Sequence, residues 1–187
     1  FGGIYAAGVL GWSVVDVGIF GILAIVTGAL FCWLGGMADA RFGPKPVIAA
    51  CILALTFVAV SILFIAPGSL FGIALPEGSA LPDIAFYLCG AVIGAAGGVL
   101  QAASRTMMVR QADPAKMAES FGLYALAGKA TSFIAPLSIG FATWATGSQQ
   151  LGVTPLIALF LMGLFLLRWV KPEGDRAAWD ASQPASA

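Results

Sequence analysis

The sequence predicts an all-α integral membrane protein, and its composition and charge content carry that prediction. The chain of 187 residues is 60% hydrophobic and 10% charged, whereas an average soluble domain has about 25% charged residues. Nine cationic and nine acidic side chains are too few to cover the surface of a soluble protein of this size. The apolar surplus must therefore face lipid.

The same composition excludes several classes of function. A formal net charge of zero gives no clustered basic surface for nucleic acid, which we do not expect as a partner. The chain has no histidine, which removes Ser-His-Asp and Cys-His catalysis and imidazole metal sites from this stretch. Cys32, Cys51 and Cys89 stand singly in apolar runs, so they are interpreted as small core residues. We expect no metal and no cofactor.

Five apolar runs have the length that a helix needs to cross the hydrocarbon core, about 20 residues. Backbone polar groups in lipid must be paired within the segment, which favours helices over open strands. The predicted spans are residues 17–34, 47–66, 84–103, 120–145 and 155–170. Residues 1–10 resemble the end of a further span whose beginning is missing. We therefore expect a transmembrane bundle over residues 1–170 and a cytoplasmic, disordered tail over residues 171–187.

Glycine, proline, serine and charged residues collect between these spans, as connecting segments require. The cations are segregated: they fall in alternate connections and at the end of the chain, at Arg41, Lys45, Arg105, Arg110, Lys116, Arg168, Lys171 and Arg176. The intervening connections carry Asp16, Glu77 and Asp83. Because Lys and Arg in short loops stay on the cytoplasmic side, the three basic regions and the C-terminus are predicted to be inside. Asp16 is interpreted either as a solvated helix-start residue or as part of a gate.

The predicted helices differ in the surfaces that they can present. Residues 47–66 and 155–170 are almost wholly aliphatic or aromatic, so both helices are predicted to be peripheral and to face lipid. Gly90, Gly94 and Gly98 instead form a stripe four residues apart, which lets another backbone approach closely. We expect this helix to pack inside, and a mobile helix crossing at the stripe stays open as a second interpretation.

Lys129 lies about ten residues into the predicted span 120–145. An ammonium group near the bilayer centre costs roughly 2.5–3.5 kcal/mol even on the gentler insertion scale. Two explanations stay open: Lys129 lines a wet translocation path, or it snorkels or pairs with a carboxylate for structure alone. Pro136 is predicted to bend the same helix because it removes a backbone donor and crowds the preceding turn.

No Asp or Glu lies deep in the five predicted spans, although ion coupling in membranes usually relies on such carboxylates. If the protein is coupled to a proton or cation, its carboxylates lie in a missing part, or Lys129 takes part. Gln101 is interpreted as a hydrogen-bond partner between helices or as a ligand of a transported solute.

The connection over residues 35–46 resembles the signature loop of the major facilitator superfamily, which reads Gly-x-Leu-Ala-Asp-Arg-x-Gly-Arg-Lys. Gly36, Arg41, Gly43 and Lys45 stand at the matching spacing, whereas Ala40 takes the place of the family's Asp and Asp39 comes one residue early. In that family the acidic residue helps to lock the cytoplasmic side, a role that Asp39 would fill only partly. We predict a gating loop of Gly36, Asp39, Arg41, Gly43 and Lys45, joined by Arg105. A plain connecting loop is the alternative.

A wider set of motifs resembles the vacuole-effluxer branch of this superfamily, named for autophagy-related permeases. The resemblance covers nearly the whole chain and rests on residues 1–8, Ser104-Arg105, Arg110, Asp113-Pro114, residues 119–124, residues 128–132, Pro136 and residues 146–149. One departure is Ala135, where the pattern has Gly. The branch implies release of amino acids from the vacuole. With the membrane argument, it places Lys129, Ser132, Gln101 and Tyr124 on the predicted substrate path.

The resemblance also implies an architecture: the C-terminal six-helix half, helices seven to twelve, of a major facilitator bundle with its first helix truncated. Helices nine and twelve of such a bundle are peripheral and helix eleven faces the cavity. Transport would proceed by rocking of two halves around a site near the midplane. The implied location is a bacterial plasma membrane, and the implied partners are a small solute, the bilayer, a missing N-terminal half and a coupling proton or cation.

The leading interpretation of function is a secondary transporter that moves a small polar solute. Two alternatives come from other classes. A membrane-embedded enzyme would need an acid, base or metal cluster, yet Asp39, Asp113 and Glu119 lack ligand spacing. A structural or receptor-like membrane protein needs no such site, and saturable uptake of a solute would argue against it.

Overall fold

The computed structural model describes residues 2–76 and 78–174, and within them the chain forms seven α-helices. They are α1 (Gly2–Val9), α2 (Val14–Phe42), α3 (Pro44–Ile62), α4 (Leu81–Gln111), α5 (Met117–Thr131), α6 (Ile134–Thr146) and α7 (Thr154–Leu167). Single 3₁₀ turns at Pro114–Lys116 and Leu151–Val153 precede α5 and α7. Phe1, Glu77, Arg176 and the predicted tail from residue 175 onward lie outside the described residues.

The helices confirm the all-α membrane class. Four helical stretches in the described part of the chain are long and apolar enough to cross a membrane: α2, α3, α4 and Pro114–Thr146, which joins α5 and α6. A shorter apolar stretch, Leu151–Leu167, corresponds to the last predicted span. The protein is therefore a multi-pass membrane protein.

Helix α2 begins three residues before the predicted span 17–34 and ends two turns after it. A capping box fixes its start, because the Asp16 carboxylate accepts from the Ser13 backbone N–H at 3.0 Å and the Asp16 N–H donates to Ser13 Oγ at 3.3 Å. The predicted loop over residues 35–46 is wrong for most of its length: Gly36, Asp39 and Arg41 belong to the last turns of α2. The reversal needs a single residue, Gly43, whose φ of 84° suits glycine.

The α2–α4 crossing depends on glycines of both helices. Gly94 lies directly against the Ala24 carbonyl oxygen, so no side chain fits between them, and a Cβ at Gly98 would lie 2.8 Å from the Gly28 carbonyl oxygen. Gly90 lies against the ring of Phe20 in the same way. On the α2 side, a Cβ at Gly35 would lie 2.5 Å from Val99. The two backbones therefore approach as closely as glycine stripes allow.

Helix α3 packs one whole face against other helices, whereas the sequence predicts lipid on most faces of residues 47–66; its opposite face is exposed, so its peripheral position stays a prediction. One face packs between α4 and α7, and its buried residues are Val47, Ile48, Cys51, Ile52, Leu55, Val58, Ala59 and Ile62. Leu53 and Phe57 lie on the exposed face. Apolar composition could not separate the two situations, because lipid tails are as apolar as leucine and both surroundings select the same residues.

An aromatic cluster closes the predicted outer end of the bundle. Phe20 and Phe86 stack with ring centroids 5.3 Å apart, and Trp12 stacks on Tyr87 at 4.3 Å. The Trp12 indole N–H donates to Asp83 Oδ1 at 2.6 Å. Rings of this kind settle at membrane interfaces because one end is apolar and the other is polar. The cluster thus joins the starts of α2 and α4.

We expect Trp12→Phe to lower the free energy of unfolding by about 1.5 kcal/mol, since stacking is kept while one charge-assisted hydrogen bond is lost. Thermal unfolding of the purified protein in detergent measures the change. Trp144→Phe is the matched control, because Trp144 is 80% exposed. This variant should have the same free energy of unfolding as the parent. Equal loss in both variants would contradict the role of the Asp83 contact.

A small antiparallel sheet follows α3, where the sequence predicts the end of a helix and a loop. Its strands are β1 (Ile65–Ala66), β2 (Ser69–Leu70) and β3 (Ile73–Ala74), with Ile65 opposite Leu70 and Leu70 opposite Ile73. Phe71 and Gly72 both have positive φ, of 51° and 80°, as a tight hairpin turn requires. The helix therefore stops at Ile62 rather than at residue 66.

Candidate functional site

The predicted span 120–145 is divided into α5 and α6 by a break at Ser132 and Phe133. Pro136 accounts for the break, because it has no N–H to donate to the Ser132 carbonyl and its ring crowds that turn. Instead, the Ser132 N–H donates to the Lys129 carbonyl at 3.3 Å. The break follows Lys129 by three residues, so it lies beside the candidate site.

Nearly the whole surface of helix α5 is exposed. It has no buried residue within the described part of the chain, and Tyr124, Lys129 and Ser132 are all exposed. A preceding turn sets its start, in which Asp113 Oδ1 accepts from the Ala115 N–H at 2.9 Å. An exposed membrane helix that carries an ammonium group needs water, solute or further protein beside that group.

An open cavity of about 950 Å³ lies along this helix and reaches α4. Its polar lining comes from two cations and three hydroxyl side chains, and the full lining is Arg105, Phe121, Tyr124, Ala125, Ala127, Gly128, Lys129, Thr131 and Ser132. The hydroxyls of Thr131 and Ser132 donate to the carbonyls of Ala127 and Lys129, each at 2.8 Å. Their oxygens keep free lone pairs for a bound donor.

The charged side chains that line the cavity are all cationic. Arg105 and Lys129 both line it, and its lining contains no acidic residue. Neither cation makes a side-chain hydrogen bond or an ion pair with another of the described residues; the Arg110–Glu173 pair, at 3.2 Å, lies elsewhere. A guanidinium fork beside an ammonium group suits a carboxylate or another oxyanion.

The structure brings together some of the predicted site residues and separates others. Lys129, Tyr124 and Ser132 line one cavity, and Arg105, assigned to the gate from sequence, lines it too. Gln101 is exposed on α4, one helical turn before Arg105, and is not part of the lining. Phe121 and Thr131 were missed, although their spacing from Tyr124 and Gly128 on one helix could have revealed them.

The predicted gating residues other than Arg105 lie at the C-terminal end of α2 or directly after it, and they contact different partners. Asp39 is 8% exposed and its Oδ1 has no hydrogen-bond partner among the described residues. The Arg41 guanidinium lies 5.5 Å from the centre of the Phe42 ring. Lys45 Nζ donates to the carbonyls of Arg168 at 3.1 Å and Val170 at 2.7 Å, so it caps the end of α7. Gly36 is exposed.

The cavity lining offers groups that can bind a small polar molecule. No group of three His, Cys, Asp or Glu side chains able to hold a metal occurs in residues 2–76 and 78–174. The cavity offers two cations, hydroxyl oxygens and aromatic rings. Such a set can hold a small polar molecule and release it.

The chain matches known membrane transporters. Residues 3–179 match the family model described as vacuole effluxer Atg22 like. The chain is 26% identical over 176 residues to autophagy-related protein 22 of Cryptococcus neoformans, which covers 92% of the chain and 30% of that protein. It is 31% identical over 88 residues to the uncharacterized MFS-type transporter YxiO of Bacillus subtilis, which covers 47% of the chain and 21% of that protein. No solved structure matches the chain significantly.

Proposed function

Because the chain belongs to the vacuole effluxer Atg22-like family of transporters, we propose that it forms the C-terminal half of a secondary transporter for a small polar solute. The single observation that supports this most is the cavity of Lys129, Arg105, Tyr124 and Ser132, which is polar and open on an otherwise apolar helix pair. An ammonium group at this depth is retained where it serves a path for solute.

The proposed solute carries an anionic group, and an amino acid is our first candidate. Its carboxylate would lie between Arg105 and Lys129, since the cavity lining offers two cations and no acid. The hydroxyl oxygens of Thr131 and Ser132 would accept from the amino group. Phe121 and Tyr124 would contact the side chain of the solute.

The proposed mechanism is alternating access between two six-helix halves, with α1 as the truncated helix seven and the remaining helices as helices eight to twelve. The chain spans 21% and 30% of the two curated relatives it matches, which leaves room for another half. The exposed surface of α5 supports a position for this helix at the boundary between the two halves. Rigid rocking suits the close α2–α4 crossing, because helices packed this closely would move as one body.

The proposed gate lies where α2 ends and α3 begins, and it contains Asp39 and Arg41 of α2 and Lys45 of α3. A buried carboxylate oxygen without a partner costs free energy unless another group pairs with it in some state of the protein. We assign that pairing to the missing half in the closed state. The basic ends of α4 and α7 support a cytoplasmic C-terminus. The proposed location is a bacterial plasma membrane.

Uptake into proteoliposomes tests this function in the complete transporter that contains the chain. We expect saturable uptake of an amino acid, competition by other carboxylates of similar size, and weak competition by the amine that lacks the carboxylate. A coupling proton or cation would appear as a dependence of uptake on an imposed ion gradient. Uptake that never saturates, with any candidate solute, would contradict the proposal.

A further inference from the structure

A second cavity, of about 590 Å³, opens on the surface between α3 and α7. It shares no residue with the Lys129 cavity. Ala49, Leu161, Leu164 and Phe165 line it, and its cationic residues are Lys45 and Arg168. Because α3 and α7 are membrane helices, this groove opens towards acyl chains.

The two cations lie at one end of the groove. Lys45 is the second residue of α3 and Arg168 directly follows α7, and Lys45 Nζ donates to the Arg168 carbonyl at 3.1 Å. With two donors used on the carbonyls of Arg168 and Val170, Lys45 keeps one N–H for another acceptor. The Arg168 side chain is exposed and makes no hydrogen bond or ion pair with the other described residues.

The depth of these cations is that of a lipid headgroup. Trp169 follows Arg168, is 65% exposed, and packs edge-on against Phe165 with ring centroids 4.6 Å apart. Exposed tryptophan at a helix end marks the membrane interface. An apolar groove in the hydrocarbon region thus ends at two cations in the headgroup region.

We propose that this groove binds one anionic phospholipid from the leaflet on the predicted cytoplasmic side. An acyl chain would lie along Leu161 and Leu164, where the small side chain of Ala49 leaves room. The phosphate would accept from Arg168 and from the remaining N–H of Lys45. Basic pockets between membrane helices on that side suit such headgroups. The bound lipid would join the start of α3 to the end of α7.

Native mass spectrometry of the complete transporter, with lipid added in steps, tests this proposal. Phosphatidylglycerol should bind more tightly than phosphatidylcholine with the same acyl chains. Arg168→Gln should weaken phosphatidylglycerol binding about fivefold, the effect of one interfacial charge. Lys116→Gln is the matched control: it removes a cation from the same membrane side but outside the groove, and binding should not change.

A second variant separates lipid binding from charge alone. Ala49→Phe fills the groove without changing charge and should weaken the binding of both lipids. It also tests the proposal if Arg168→Gln does not fold. Soluble glycerol phosphate should not compete. Equal binding of the two lipids, parental affinity in either groove variant, or competition by glycerol phosphate would overturn the proposal. None of these outcomes depends on solute transport.

Discussion

Lys129→Ala is expected to reduce transport about tenfold to a hundredfold, while the amount of protein in the membrane stays at the parental level. The proposed role of Lys129 is a charge-assisted hydrogen bond to the anionic group of the solute, and such bonds contribute about 1.5–3 kcal/mol. Alanine removes that bond and also the cost of placing an ammonium group in the membrane. Initial uptake rates in proteoliposomes, normalised to transporter content, measure the effect.

The conservative variant separates charge from packing. Lys129→Arg keeps a cation at the cavity and should retain more transport than Lys129→Ala, although the wider guanidinium changes the geometry. Lys116→Ala removes a cation from the turn that precedes α5 and should leave transport unchanged. Parental uptake by Lys129→Ala would remove Lys129 from the solute path.

Gly94→Ala is expected to lower the free energy of unfolding by about 1–3 kcal/mol, the usual effect of overpacking. The new methyl group would overlap the Ala24 carbonyl oxygen and approach Thr27. The Ala24 carbonyl belongs to the backbone of α2, so it cannot move without separating α2 from α4. Thermal unfolding of the purified protein in detergent measures the loss.

Gly97→Ala is the matched control on the same helix. No heavy atom of a neighbouring element lies within 4 Å of the position that its methyl group would take. Alanine also costs a helix less backbone entropy than glycine, by roughly 0.5–1 kcal/mol. Gly97→Ala should therefore be as stable as the parent or slightly more stable. Equal stability of the two variants would contradict the account of the α2–α4 crossing.

The sequence predicted the membrane helices well because lipid imposes a simple rule on length and apolar content. Runs over residues 17–34 and 84–103 lie inside α2 and α4. The glycine stripe pointed to a close crossing but not to its partner, because Gly28 and Gly35 of α2 are not spaced as a four-residue repeat. Pro136 marked the helix break because its effect on the preceding turn is local.

Features that depend on neighbouring elements could not be predicted in the same way. Residues 35–42 have the glycine and charge content of a loop, yet they continue α2 because Gly43 alone supplies the reversal. Burial of α3 depends on α4 and α7, which hydropathy does not encode. Arg105 faces the Lys129 cavity because α4 continues as a helix to Gln111, whereas the sequence suggested a loop from residue 104.

Labelling of Lys129→Cys tests most directly whether water reaches this position in the membrane. In a background where Cys32, Cys51 and Cys89 are alanine, a charged, membrane-impermeant thiol reagent reacts only with a hydrated thiolate. Leu53→Cys, in the middle of α3 on its exposed face, is the lipid-facing control. We predict that Lys129→Cys is labelled and that Leu53→Cys is not. Equal resistance of both variants would contradict a solute path along α5.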